Sequence, residues 1–454
     1  MSMATADTET GTTVSNDIVQ GSVDFRGKPS VRSASGGWRS SGFTIATIPD
    51  LCADQETHDS CVSQVKIVVF FCALYLIALG EGGFKVCLRT FGADQFDEHD
   101  PEESKAKSTY FNWLYFAIST GIFTTRLVIN YVQENLSWAL GYGIPWLSMM
   151  LALFLFLLGI KTYRFSTGGE AKNRRQTPSE ETCLLLPDES SNKYRFLNRA
   201  IISCDSYEVE EAKAVLSLIP IWICSLVFGI VYGQSPTFFT KQGSTMDRSI
   251  TPTLLVPAAT LQCFISLAIL FFIPIYDRLF VPIARSFTHK PAGITTLQRI
   301  STGIFLSIIS MVTAALVEMK RLKTARDHGM LDSPEAIVPM SVCWLIPQYV
   351  LFGVSDVFTM VGLQEFFYGQ IPVELRSMGL ALYLSVIGIG NFLSSFMVSA
   401  IEIATSQSGQ ASWFDNNLNQ AHLDYFYWLL ACLSSISFVC LVHLAKSYVY
   451  KSPK

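Results

Sequence analysis

Charge is scarce in this 454-residue chain: Asp, Glu, Lys and Arg make up 15% of it, against roughly 25% in soluble domains. A soluble globule of this length would need more polar surface. Neither sign dominates, the net charge being −4 at pH 7, so the basic surface of a nucleic-acid binder is missing and no nucleic-acid partner is expected. The six His are scattered singly and give no ligand spacing for zinc or copper, so no metal site is expected. GEGGFK, from Gly80, lacks the GxxxxGK[ST] spacing of a phosphate loop and follows a helical run, which argues against ATP hydrolysis. With no constellation of nucleophile, base and metal, neither an enzyme nor a cofactor is expected. The eleven Cys form no disulfide framework, because seven of them (Cys72, Cys87, Cys224, Cys263, Cys343, Cys432 and Cys440) fall in apolar runs and read as small hydrophobes. Cys52 and Cys61 could bridge if their segment faces an oxidising space. The first 65 residues are rich in Ser, Thr, Gly and Asp, lack the short apolar block of a secretory signal, and read as a disordered tail.

What the chain has instead is hydrophobicity, at 50% of residues, gathered in runs long enough to cross a hydrocarbon core with roughly 20 helical residues each. Three such spans are expected at about 66–86, 110–131 and 138–160. Six more follow at about 214–239, 253–275, 299–319, 338–365, 378–401 and 424–446. Between the two groups lies a polar stretch carrying Lys161, Arg164, Lys172, Arg174, Arg175, Lys193, Arg195, Arg199 and Lys213, a density of positive charge that marks a cytoplasmic loop. Arg278, Arg285, Lys290, Arg376, Lys446, Lys451 and Lys454 fall on the same side. Lys320, Arg321, Lys323 and Arg326, in the connection after span six, break that pattern. Pro220, Pro257, Pro347, Gly388 and Gly390 are candidate hinges or close-packing points. Nine spans put the chain ends on opposite sides, although the tail has the look of a cytoplasmic one.

Four blocks carry more specific information: GEGGFKVCLRTFGADQFDE from Gly80, FNWLYFAISTG from Phe111, YGQSPTFFTKQGSTMDRSI from Tyr232, and VSDVFTMVGLQEFFYGQIPVELRSMGLALYLSVIGIGNFLSS from Val354. In this order they resemble the proton-coupled oligopeptide transporter family, in its plant nitrate/peptide branch, and the resemblance covers most of residues 66–450. It implies an all-α membrane protein of the major-facilitator type, a helical bundle of twelve spans in two halves around a midplane cavity. Here the N-terminal half is incomplete, with about nine spans in all. GEGGFK belongs to the family's fourth span, so three spans, roughly 90 residues with loops, are missing between the tail (GGWRSSGF from Gly36) and a junction near Thr44 to Pro49. The chain reads as an alternatively spliced or deleted form, and restoring three spans would return the tail to the cytoplasm. The expected organisation is a tail (1–65), a three-span remnant of the N-terminal bundle (66–160), a cytoplasmic central loop (161–213), a C-terminal six-helix bundle (214–447) and a short tail (448–454).

The resemblance implies a proton-coupled secondary transporter whose partners are a small solute (a di- or tripeptide, nitrate or another small metabolite), protons and the lipid bilayer. The alternative is a non-transporting isoform that is degraded or modulates a full-length relative. Lys85 would cost at least about 3 kcal/mol at mid-bilayer without a partner. The family's neighbouring ExxER motif is absent, and Glu81, four residues earlier, is positioned for a helical ion pair. The two read either as a proton-coupling pair or as charges reaching interfacial water. Asp356 matches the family's cavity carboxylate, a site for a proton or a solute ammonium. Glu365 and Arg376 lie nearer the cytoplasmic end, as gate or interface residues. Tyr232, Gln234 and Ser119 fall where relatives line the cavity. Tyr232 stands where some nitrate carriers have His, and Ser119 where the family more often has Asn, which loses an amide able both to donate and to accept. Arg126 is an unexplained charge in mid-span. EETCLLL, from Glu180, fits an acidic dileucine sorting signal, so the membrane expected is the plasma membrane or the vacuolar one.

Overall fold

A backbone in lipid must satisfy its own N–H and C=O groups, so the apolar runs become helices. The computed structural model describes residues 18–23, 29–31, 64–97, 100–129, 132, 138–166, 206–251, 254–288, 293–333, 336–372, 375–406, 412–415 and 417–448. Among them are nine long helices: α1 Gln64–Ala93, α2 Pro101–Thr124, α3 Trp138–Leu158, α4 Ser206–Tyr232, α5 Cys263–Ile275, α6 Thr296–Asp327, α7 Ile346–Gly369, α8 Arg376–Ser406 and α9 Leu423–Ser447. Seven of these stretches, α3 to α9, are by length and composition apolar enough to cross a membrane. Three helices run into π-helical turns: α2 into Thr125–Ile129, α4 into Ser235–Phe239, and α5 into Tyr276–Phe280.

Local chemistry sets the helix starts. Asp100 caps α2, its carboxylate accepting from the Glu102 N–H, with Pro101 in the first turn and Glu102 and Glu103 favourably placed at the positive end of the helix. Thr295 and Gln298 form a reciprocal capping box on α6. Pro347 sits in the first turn of α7, where it starts a helix rather than hinging one, while Pro220 lies inside α4. Two helices outrun their apolar runs. α1 continues to Ala93, which brings Arg89 inside the helix, and α6 continues to Asp327, so Lys320, Arg321, Lys323 and Arg326 are helical rather than loop charges.

Helices α4 to α9 pack closely on one another: α6 against α7 and α9, α4 against α8 and α9, and α5 and α8 against α7. Small residues allow this approach. A Cβ on Gly390 of α8 would lie 2.4 Å from the carbonyl carbon of Gly229 on α4, and one on Gly303 of α6 would lie 2.6 Å from the Thr359 nitrogen on α7. Gly388 meets nothing within 4 Å, so of the two glycines expected to matter only Gly390 is a packing point. Helix α2 packs on α5 and α7, and α1 on α8. α3 is barely engaged, burying Ala152 alone among its described side chains while Leu147, Leu151, Phe154 and Leu158 are exposed.

The strands are small. β1 (Ile18–Val23) pairs antiparallel with β2 (Pro29–Val31) and with β3 (Phe165–Ser166), within stretches expected to be tail and loop. β4 (Met246–Asp247) precedes the hairpin β5 (Ser249–Thr251) and β6 (Leu254–Leu255) and pairs in parallel with β7 (Val338–Ser341). Cys52, Cys61, EETCLLL and most of the N-terminal tail lie outside the described residues.

Candidate functional site

Asp356 lies about 20 Å along α7 from its end at Gly369, at 1.5 Å per residue, and therefore near mid-bundle. It is almost fully buried. The Tyr115 hydroxyl of α2 donates to Asp356 Oδ2 at 2.7 Å, while Oδ1 is buried with no hydrogen-bond partner. Tyr232 of α4 and Tyr383 of α8 are within electrostatic reach of Tyr115, and the Tyr232 ring lies 5.9 Å from that of Phe352. Side chains of four helices thus gather around Tyr115, which alone of them bonds the carboxylate. Ser119, also buried, stands one turn beyond Tyr115 on α2. Gln234 is placed differently: its Nε2 donates to Ile230 O at 2.6 Å and to Ser394 Oγ of α8 at 2.9 Å, and its Oε1 is buried without a partner.

Lys85 Nζ and Glu81 Oε1 are 2.6 Å apart, as their spacing on one helix predicts, and both side chains are more than one-third exposed. No described contact joins this pair to Asp356. Beside it, Gly80, Gly82 and Gly83 have open space where a Cβ would stand.

The end of the bundle holding the α1–α2, α5–α6 and α7–α8 connections is here called the basic end, the side assigned to the cytoplasm by its charge. Glu365 pairs there with Arg299 of α6 at 3.4 Å. Arg299 Nη2 donates to Asn112 Oδ1 at 2.7 Å. Asn112 Nδ2 donates in turn to Asp277 at 3.0 Å, and Trp113 Nε1 donates to the same carboxylate at 3.2 Å. A small cavity is lined by Thr109, Asn112, Asp277, Arg285, Arg299 and Glu365. Arg376 pairs with Asp94 at 3.2 Å and lies 4.7 Å from the Tyr368 ring, whose hydroxyl also donates to Asp94. These contacts tie α1 and α2 to α5 through α8. Tyr115, Asn112, Asp277, Arg299 and Asp94 were not singled out from sequence. Asn112, Trp113 and Tyr115 within FNWLYFAISTG are a detectable signal, since polar groups in a span usually have a role; their partners, 160 and more positions away, are not.

At the opposite end Glu318 and Arg321 form an ion pair with no exposure on either side chain, at 2.6 Å. Arg321 also donates to Asn419 Oδ1 and to Leu418 O, and Glu318 accepts from Gln242 Nε2. The charge that broke the loop pattern is an internal strut. Arg126 has a partner too, its Nη1 donating to Gln262 O at 3.3 Å.

The POT family profile (PTR2) matches residues 41–177 and 175–414. The Arabidopsis thaliana protein called NRT1/ PTR FAMILY 5.12 is 68% identical over an alignment of 556 positions that takes in all of both chains. About a hundred of those positions hold no residue of this chain, the length of three spans with their loops at roughly 20 residues per span. NRT1/ PTR FAMILY 5.10 of the same plant is 60% identical over 430 residues, covering 89% of this chain and 77% of its own. Among solved structures, an auto-inhibited POT family peptide transporter superposes with a TM-score of 0.61 at 20% identity, covering 91% of this chain and 82% of its own. The POT family transporter PepTSo gives 0.58 at 19% identity, with 90% and 83% covered. At such identities the two structures speak to the fold, which they share with this bundle.

Proposed function

This chain belongs to the POT family, a multi-pass membrane transporter family, and from that premise we propose that it couples the movement of protons to that of a small solute across the plasma or vacuolar membrane. The observation that carries the reading is Asp356, with one oxygen clasped by Tyr115 of another helix and the other buried without a partner. A proton or a solute ammonium at Oδ1 neutralises the carboxylate. The charge-assisted bond from Tyr115, roughly twice as strong as a neutral one, then weakens. Loading at Oδ1 thereby loosens the clasp between α2 and α7, and emptying restores it. Ser119, Tyr232 and Gln234 line the solute space in this scheme, Glu81 and Lys85 take part in proton coupling, and the Glu365–Arg299 and Arg376–Asp94 pairs serve as the gate at the basic end. The solute classes are peptides, nitrate and comparable small metabolites.

The test is proton-driven uptake of a pooled set of peptides, nitrate and metabolites by oocytes expressing the chain, with membrane abundance measured alongside. Asp356→Asn is expected to abolish the pH-dependent part at equal abundance. Undiminished pH-dependent uptake removes Asp356 from the coupling. One observation favours a second reading, in which the chain does not transport alone but partners a longer relative: α3 exposes most of its described side chains and the first described half of α1 is exposed likewise, while about a hundred positions of the alignment with a full-length relative hold no residue of this chain. Uptake only by a version carrying the missing segment selects that reading.

A further inference from the structure

The helix Val281–Thr288 continues α5 beyond its π turn, and the whole stretch Ala258–Thr288 is longer than a membrane crossing needs. Ala258 to Tyr276 carries no charge and measures about 28 Å at 1.5 Å per residue, close to the roughly 30 Å of a hydrocarbon core. Asp277 and Arg278 therefore stand where hydrocarbon gives way to headgroups at the basic end, with Val281–Thr288 beyond them. The stretch has two faces. Tyr276 and Val281 are buried, and Arg285 lines the cavity beside Asn112 and Arg299. On the other face, before Arg278, Phe271 and Ile275 are exposed; spacings of four and three align them with Arg278. After it Leu279, Ile283 and Phe287, the last 82% exposed, form a second apolar strip at spacings of four. An apolar helix face past the hydrocarbon core is at home at the boundary of headgroups and acyl chains.

Arg278 itself is exposed, and among the described residues it makes no hydrogen bond or ion pair. Exposed Lys105, at the same end, holds Glu102 at 2.6 Å. Arg278 instead faces the Trp113 ring, whose centre lies 5.8 Å from its Cζ. A ring face attracts the cation but takes none of the five N–H donors, which lie in the guanidinium plane. The neighbouring carboxylate, Asp277, is engaged by Asn112 and Trp113. A planar fork of donors at headgroup depth, above an exposed apolar face, is complementary to a phosphate carried on acyl chains. We propose that Arg278 is the headgroup site of an anionic phospholipid, whose phosphate takes the guanidinium donors and whose acyl chains lie along Phe271 and Ile275. The cytoplasmic leaflet, on the side to which the charge pattern assigns this end, is rich in such lipids. Trp113 belongs to two contacts at once: its face meets Arg278 and its Nε1 holds Asp277. The lipid therefore adjoins the Asn112 link that joins α2 to α5 and α6. The site stands whether or not the chain transports alone.

The experiment is native mass spectrometry of the 454-residue chain purified in detergent, after addition of phosphatidylglycerol or of phosphatidylcholine with the same acyl chains. The wild type is expected to retain phosphatidylglycerol over phosphatidylcholine by roughly threefold or more. Arg278→Gln is expected to lower phosphatidylglycerol retention by roughly fivefold, the share of one basic residue at an anionic surface. Arg278→Lys, which keeps the charge but loses the fork, is expected to lower it by roughly twofold. Phe271→Ala with Ile275→Ala, which spares the charge, is expected to weaken retention of both lipids. Lys320→Gln is the control: that cation lies over the Trp344 ring at the opposite end, 3.2 Å from its centre, and its loss leaves retention unchanged. Inorganic phosphate in excess is expected to leave the lipid in place. Equal retention of the two lipids overturns the proposal, as does equal retention of phosphatidylglycerol by the wild type and Arg278→Gln. Displacement by inorganic phosphate reduces the site to a phosphate-binding surface and overturns the lipid assignment. Should Arg278→Gln fail to elute as folded protein on size exclusion, Arg278→Lys decides alone.

Discussion

Glu318→Gln tests the internal strut of the six C-terminal helices. The wild-type carboxylate accepts from Arg321 twice, from Nε at 2.9 Å and from Nη2 at 2.6 Å, and once from Gln242 at 2.8 Å. Both side chains are fully buried, so the amide leaves a guanidinium charge in the interior with the neutral acceptors Thr245 Oγ1, Asn419 Oδ1 and Leu418 O. Breaking one partner of a buried pair costs about 3–5 kcal/mol, and the three surviving acceptors favour the lower figure, about 3 kcal/mol. For a unit of this size each kcal/mol moves the midpoint by roughly 2–4 °C, so a drop of roughly 6–12 °C is expected. The assay is tryptophan fluorescence during heating of the detergent-solubilised chain, with all variants scanned at one rate because unfolding of such proteins is commonly irreversible. Replacing both partners, as Glu318→Leu with Arg321→Met, removes the stranded charge and should recover most of the loss. A single variant within about 2 °C of the wild type would refute the reasoning.

Gly390→Val should prevent accumulation of folded protein, because its Cβ would lie 2.4 Å from the backbone of Gly229, whereas Gly388→Ala, in open space, should elute normally on size exclusion. Asn112→Ala removes the link between Asp277 and Arg299, two hydrogen bonds of about 1 kcal/mol each. Maleimide labelling of a cysteine at Thr109, beside that link, should then speed up by roughly tenfold or more, and an unchanged rate would mean that other contacts hold the basic end shut. Asp356→Asn carries the transport prediction given above.

The helices were legible in sequence because lipid imposes one requirement on every span, an apolar run of fixed length, and because the glycine-lysine block is specific. Their ends were less so. Hydropathy stops where charges begin, yet α6 carries Arg321 inside the protein and α1 carries Arg89, since burial against other helices replaces burial in lipid. The Glu81–Lys85 contact was readable from its spacing of four, a purely local quantity. Tyr115 with Asp356 was half readable: the carboxylate stood out, but its partner lies 241 positions away and is chosen by packing. Arg89 carries no such signal in sequence, because only the folded surroundings show that its buried Nη1 has no acceptor.

The π-helical turns in three of the spans have a consequence for how this chain tolerates changes in length. Such a turn holds one residue more than the α-helix around it, the geometry left by a single insertion. Deleting Thr237 from Ser235–Phe239 would convert that turn to ordinary helix and keep the side chains beyond it, Gln242 among them, on their present faces. The same deletion in mid-α4 would rotate everything downstream by about 100° and pull Gln242 off Glu318. A scan of single deletions through α4 and α5, read by expression of folded protein, should therefore find two permissive windows, one at each π turn that a further helix follows, and intolerance on either side of them.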